Sequence, residues 1–190
     1  MSALRISPHY TQKQWNEAFA SGEDWKTAID IVEDRIRGRW LDAADRLLDG
    51  SHSGFAILAL DCIVLESLWG FMNGKSVPKR QEQQVYASIL SGPRFKWPAA
   101  EAEAFRQFVR NGVIHDAETR SRWLVEKTVP RGAIVRQTSD GDYQLNRTNF
   151  HKALSAAFGD WIKALRAGDT ALRINMRDRM NQIISKHYTS

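Results

Sequence analysis

The stretch "FAILALDCIVLESLWGFM", residues 55–72, decides the fold. Its eighteen residues are apolar on nearly every side, so as a helix it has no wet face and must lie at the centre of whatever surrounds it. A membrane span is the competing reading. Asp61 and Glu66 argue against it, because each acid would cost several kcal/mol in a bilayer core. We read a helix over about Gly54 to Met72, capped by Ser53 after Gly50 has stopped the helix before it, with other helices packed around it.

Upstream, Ile29, Val32, Ile36, Trp40, Ala43 and Leu47 recur every three or four residues, which predicts one long helix from Asp24 to Leu48. Arg35, Arg37, Arg39 and Arg46 fall mostly off that stripe. The first 20 residues fit no pattern that places them. Downstream, "NGKSVPKR" reads as a loop and "QEQQVYASIL" as a short helix. Pro98 sits well in a first helical turn, and Phe105, Phe108, Val109, Gly112 and Val113 form the apolar face of the helix that follows.

"GAIVRQTSDGDYQLN" places two β-branched or apolar pieces around Ser-Asp-Gly-Asp, the pattern of a small hairpin near residues 133–145. Helical spacing returns at Phe150, Leu154, Ala157, Phe158, Trp161 and Leu165, then at Leu172, Met176, Met180 and Ile183. The expectation is an all-α, up-and-down bundle of five or six helices with that hairpin. At 190 residues one domain is expected, with a central bundle over about 24–118 and the hairpin and C-terminal helices over about 121–190.

A net charge of +5 and a pI near 9.5 suit an anionic partner such as nucleic acid. Cys62 has no second cysteine to pair with, and no charged start leads into an apolar run, so a cytoplasmic protein free of membrane is expected. No cofactor is expected: "RGAIVR" and "SDGD" lack the glycine spacing of phosphate or dinucleotide loops. Nor is a metal, since five dispersed His make no His-x-x-x-His or Glu-x-x-His pair. Cys62 lies in the most apolar helix, where a thiol is inert.

"FRQFVRNGVIHDAETR", residues 105–120, carries the chemistry that remains: Arg110, Asn111 and His115. Positions five apart on an ideal helix point about 140° away from each other, so Arg110 and His115 of one chain share a face only if the helix loosens near Gly112. Two chains meeting along this helix would instead bring two Arg and two His to one cleft. Metal-free RNA cleavage needs a base for the 2′-OH, an acid for the leaving oxygen and a cation for charge growing on phosphorus. His and Arg supply these, and an Asn amide can orient them. The bland reading is that last-turn Arg and His complement a helix dipole.

Asp61 and Glu66 must be paired or neutralised on so apolar a helix, with Arg110, Arg39 or Arg147 as candidate partners; either acid then supports a catalytic Arg, or each packs at an end of the buried face and reaches water. Arg147 and His151, in "LNRTNFHKAL", are candidate RNA contacts, His151 because a first helical turn welcomes anions. The alternative for His151 is a surface side chain beside Lys152.

"RNGVIH" resembles the Arg-x4-His motif, with Asn directly after Arg, of the HEPN superfamily (higher eukaryotes and prokaryotes nucleotide-binding). "SGFAILALDCIVLESLWGFMNG" is similar to the central helix of its bacterial members, and "YQLNRTNFHKAL" to a segment after the motif, so the likeness spans roughly residues 24–165. It implies a symmetric homodimer with both motifs in a composite cleft and metal-independent endoribonuclease activity. Arg110 would stabilise the scissile phosphate, Asn111 position it, and His115 do acid and base work. Members occur in toxin–antitoxin pairs and anti-phage defence, which implies RNA as substrate and an antitoxin or regulatory protein as partner. Some have lost activity and bind a nucleotide or a protein instead. Residues 121–146 are longer and more strand-like than a minimal member needs.

Overall fold

The computed structural model describes residues 4–79 and 81–188, so that Arg80, the end of the expected "NGKSVPKR" loop, lies outside the described residues. The chain is mostly helical with a small three-stranded sheet. In chain order the helices are α1 (Gln12–Ala20), α2 (Trp25–Ile36), α3 (Asp42–Leu47), α4 (Gly54–Asn73), α5 (Glu82–Leu90), α6 (Ala99–Ala104), α7 (Asn111–Asp116), α8 (Arg147–Arg166) and α9 (Thr170–Tyr188). Two π-helical turns, Arg37–Leu41 and Phe105–Arg110, join α2 to α3 and α6 to α7 into continuous rods.

α4 is the central helix its composition demands. It packs against α3, α5, α7, α8 and α9, and Ile57, Leu58, Val64 and Leu65 are fully buried along it. It ends at Gly74, whose φ of +67° gives the left-handed cap that a residue without Cβ adopts at little cost. One hydrophobic cluster runs from Ile6 to Ile184 around it.

Before the first π turn, the predicted stripe of Ile29, Val32 and Ile36 is buried. From its last positions onward, Leu41 and Ala44 are fully buried, whereas Trp40 and Ala43 are only half so. A π turn holds one residue more than an α turn, so the buried stripe moves on by one position.

α1 is a helix that no sequence pattern predicted. Thr11 and Gln14 form a reciprocal capping box at its start, and Trp15 is buried with its indole N–H donating to Asn181 of α9 at 2.9 Å. Ser53 stands at the N-terminus of α4 as expected but does not cap it. Its hydroxyl turns back to donate to the carbonyls of Leu47 and Gly50 where α3 ends.

The expected hairpin is present: β2 (Val135–Gln137) pairs antiparallel with β3 (Tyr143–Asn146) across a turn at Gly141, whose φ is +82°. A third strand, β1 (Trp123–Glu126), lies parallel to β3 and completes the order β1-β3-β2. Parallel pairing needs a crossover rather than a tight turn, so no local signal announces it.

Candidate functional site

The second π turn delivers Arg110 to its place. Phe105, which begins the turn, stacks on Phe150 with ring centroids 4.8 Å apart and packs against Tyr86 and Trp97. That aromatic cluster anchors the rod, and Arg110 leaves it at the end of the turn facing α4.

There a single oxygen of Glu66 accepts two hydrogen bonds and closes an ion pair. Arg110 donates from Nε at 3.0 Å and lies within 2.9 Å through Nη2, and the Tyr86 hydroxyl donates at 2.9 Å. Arg110 Nη1 donates to the Asn111 side-chain oxygen at 3.1 Å. Burial works against the Arg110 charge, but Glu66 and Tyr86 together more than offset it and raise the guanidinium pKa above its ordinary value. Burial also pushes the Tyr86 phenol well up, so it stays a donor. Tyr86 escaped the sequence reading, although a tyrosine on the inner face of a helix needs a partner for its hydroxyl.

His115 sits on the last turn of α7, exposed and without a hydrogen bond among the described residues. The helix does loosen here, but upstream of Arg110 and not at Gly112. From Asn111 to Asp116 it is regular α-helix, so Arg110 and His115 of one chain diverge by the about 140° that five α-helical steps dictate.

Gly112 serves a different purpose. The chain turns at Ala117, in the left-handed region at φ +56°, and folds back over the helix so that Arg120 N–H donates to the Phe108 carbonyl at 2.7 Å. A Cβ on Gly112 would lie 2.3 Å from the Glu118 carbonyl oxygen.

Asp61 is bonded to neither Arg110, Arg39 nor Arg147. Its partner is His151, whose Nδ1 is 2.7 Å from Asp61 Oδ1 while its Nε2 reaches Asp45 Oδ1 at 3.2 Å. Asp61 and His151 are both 0% exposed, which corrects the reading of His151 as an RNA contact or a surface side chain. Burial lowers the imidazole's affinity for a proton, yet the two carboxylates prevail and raise the His151 pKa. Burial raises that of Asp61, whose Oδ2 has no partner among the described residues.

Arg147 is likewise sealed in the protomer. It donates to Ser53 Oγ at 2.9 Å and to the Gly50 carbonyl, joining the start of α8 to the α3–α4 turn, and it offers no charge to a surface ligand. Cys62 is buried, and burial pushes its thiol far above the ordinary range. Among the described residues no group of three or more His, Cys, Asp or Glu is placed to hold a metal ion.

No protein-family model, no curated protein and no solved structure matches the chain.

Proposed function

We propose that the protein is a metal-independent endoribonuclease of the HEPN kind: an up-and-down helical bundle that acts as a cytoplasmic homodimer in anti-phage defence or toxin–antitoxin growth control. One observation carries this reading. Arg110 is held as a permanent cation by Glu66 and Tyr86, with Asn111 beside it, while His115 is exposed and unengaged on the following turn.

The divergence of Arg110 from His115 along α7 makes a second chain necessary, since one protomer aims its cation and its imidazole apart. In the dimer, one His115 takes the 2′-OH proton as the 2′-oxygen bonds to phosphorus. The P–O5′ bond breaks, and a second imidazole returns a proton to the leaving 5′-oxygen. A 2′,3′-cyclic phosphate and a 5′-OH result. Arg110 stabilises the charge on the phosphoryl oxygens, and its planar fork matches two of them. An antitoxin or other regulatory protein would restrain such an activity by covering the cleft.

A second reading has support in the same geometry. A guanidinium already satisfied by a carboxylate is what a non-catalytic module also needs, one that binds a nucleotide or a protein through this surface. Purified protein in EDTA should cut RNA, and Arg110→Ala and His115→Ala should each abolish cutting while circular dichroism and light scattering report an unchanged folded dimer. A monomer at micromolar concentration, or wild type and both variants performing alike, defeats the endoribonuclease.

A further inference from the structure

Arg179, on α9, is a half-buried guanidinium whose hydrogen-bond partners are neutral: Ser76 Oγ at 2.7 Å and, weakly, Gln182 Oε1 at 3.4 Å. Other arginines of the chain, Arg94, Arg110, Arg122, Arg166 and Arg177, each lie against a carboxylate. The charged group acting on Arg179 is another guanidinium, Arg35, and burial together with that repulsion lowers its pKa. A partly desolvated cation without a counter-ion among the described residues is costly to the protein alone and favourable to an incoming anion.

The surroundings suit such an anion. Arg179 lines a cavity of about 270 Å³ with Ser76, Gln182, Ile183, Ser185 and Lys186, which contributes a second cation; among the described residues no carboxylate lines it. The Gln182 amide N–H is engaged with the Gly74 carbonyl at 2.8 Å and fixes the loop after α4. Arg179 and the exposed Lys186 are thus the two cations lining one cavity.

The cavity also has a defined place relative to the first site. Arg179 crosses α4 at Gly70, where a Cβ would lie 3.1 Å from its Nε. Gly70 is four residues past Glu66, which holds Arg110. Residues i and i+4 share a helix face roughly 6 Å apart, so the two guanidiniums stand against successive turns of one face of α4.

We propose that Arg179 and Lys186 form a second phosphate subsite, which grips a neighbouring phosphodiester of the RNA strand whose scissile phosphate meets Arg110. This rests on the endoribonuclease reading. A strand held at two phosphates is fixed in register, which one cation cannot achieve.

The test uses the full chain and a 2′-O-methyl oligouridylate, which lacks the attacking hydroxyl, with binding followed by fluorescence anisotropy over a range of salt. Arg179→Gln and the exposed Lys186→Gln should each weaken binding several-fold and reduce the slope of log affinity against log salt by about 0.7. In cleavage of ordinary RNA both should raise KM more than they lower kcat. If wild type cleaves RNA while folded Arg179→Gln and Lys186→Gln bind with wild-type affinity and slope, the subsite is lost and the endoribonuclease stands. If wild type does not cleave, that reading fails first. Arg179-dependent binding of inorganic phosphate with no RNA binding would overturn the subsite as well, by making it a site for free phosphate.

Discussion

Arg110 and Glu66 meet through one carboxylate oxygen, which lies within 3.0 Å of the guanidinium Nε and 2.9 Å of Nη2 and also accepts from Tyr86. The pair is a fifth to a quarter exposed, so it adds at most about 1 kcal/mol to stability and its main effect is orientation. Glu66→Gln keeps the shape and an acceptor oxygen but removes the charge. On the proposed mechanism kcat for RNA cleavage should fall between about ten- and a hundredfold with KM little changed, because Arg110 would act on the transition state. Wild-type kcat in a folded Glu66→Gln dimer would remove Glu66 from the site.

His151 is the tie between α3, α4 and α8. Replacing it with alanine leaves Asp61 buried and without its one partner, a change that costs about 3–5 kcal/mol in proteins generally. Asp45→Asn should cost less than about 1 kcal/mol, because the Asp45 side chain is half in water. Urea denaturation at one pH measures both. The tie is refuted by a His151→Ala protein as stable as Asp45→Asn.

The same cluster sets a pH dependence. The folded-state pKa of His151 lies above its ordinary value of 6.5, so its contribution is complete below pH 6.5 and fades as pH rises through the elevated value. Asp61, raised by burial, acts in the same direction from pH 3.8 upward. Asp24, Asp34, Asp116 and Asp160 have lowered pKa values and act oppositely, but only in acid below about pH 4. Between pH 6 and 9 the stability difference between wild type and His151→Gln should therefore shrink. A difference constant across that range would mean that folding leaves the His151 pKa unshifted.

Parts of this structure were legible in the sequence and parts were not, for physical reasons. α4 was plain because a helix apolar all round has one place to go, and the β2–β3 hairpin because its turn residues are local. The shift from Trp40 and Ala43 to Leu41 and Ala44 was hidden, since a π turn inserts one residue without any residue type that marks it. The partner of Asp61 was misjudged because charge alone suggests arginine, while His151 stands 90 positions away and is matched to Asp61 only by packing. Arg147 read as a candidate RNA contact for a similar reason: nothing local reveals that it is buried against the carbonyl of Gly50. At the proposed site, Arg110 and His115 were legible as types and their divergence followed from helix geometry, but Tyr86 joined them only through the fold.

Gly112 offers a prediction in which two effects oppose. Glycine inside a helix is about 1 kcal/mol worse than alanine, so on propensity alone Gly112→Ala should stabilise α7. The added Cβ would lie 2.3 Å from the Glu118 carbonyl oxygen and 3.0 Å from Arg120 N, both backbone atoms of the segment folded over the helix. Backbone cannot swing aside as a side chain can, so residues 118–120 must move and the Arg120-to-Phe108 hydrogen bond must lengthen or break. Overpacking of this kind costs about 1–3 kcal/mol, enough to outweigh the propensity gain. We expect a net loss of stability in urea denaturation and, because His115 lies between Gly112 and the displaced segment, a loss of RNA cleavage larger than the loss of folded protein. Greater stability than wild type would show that the close approach of residues 118–120 is not what glycine provides there.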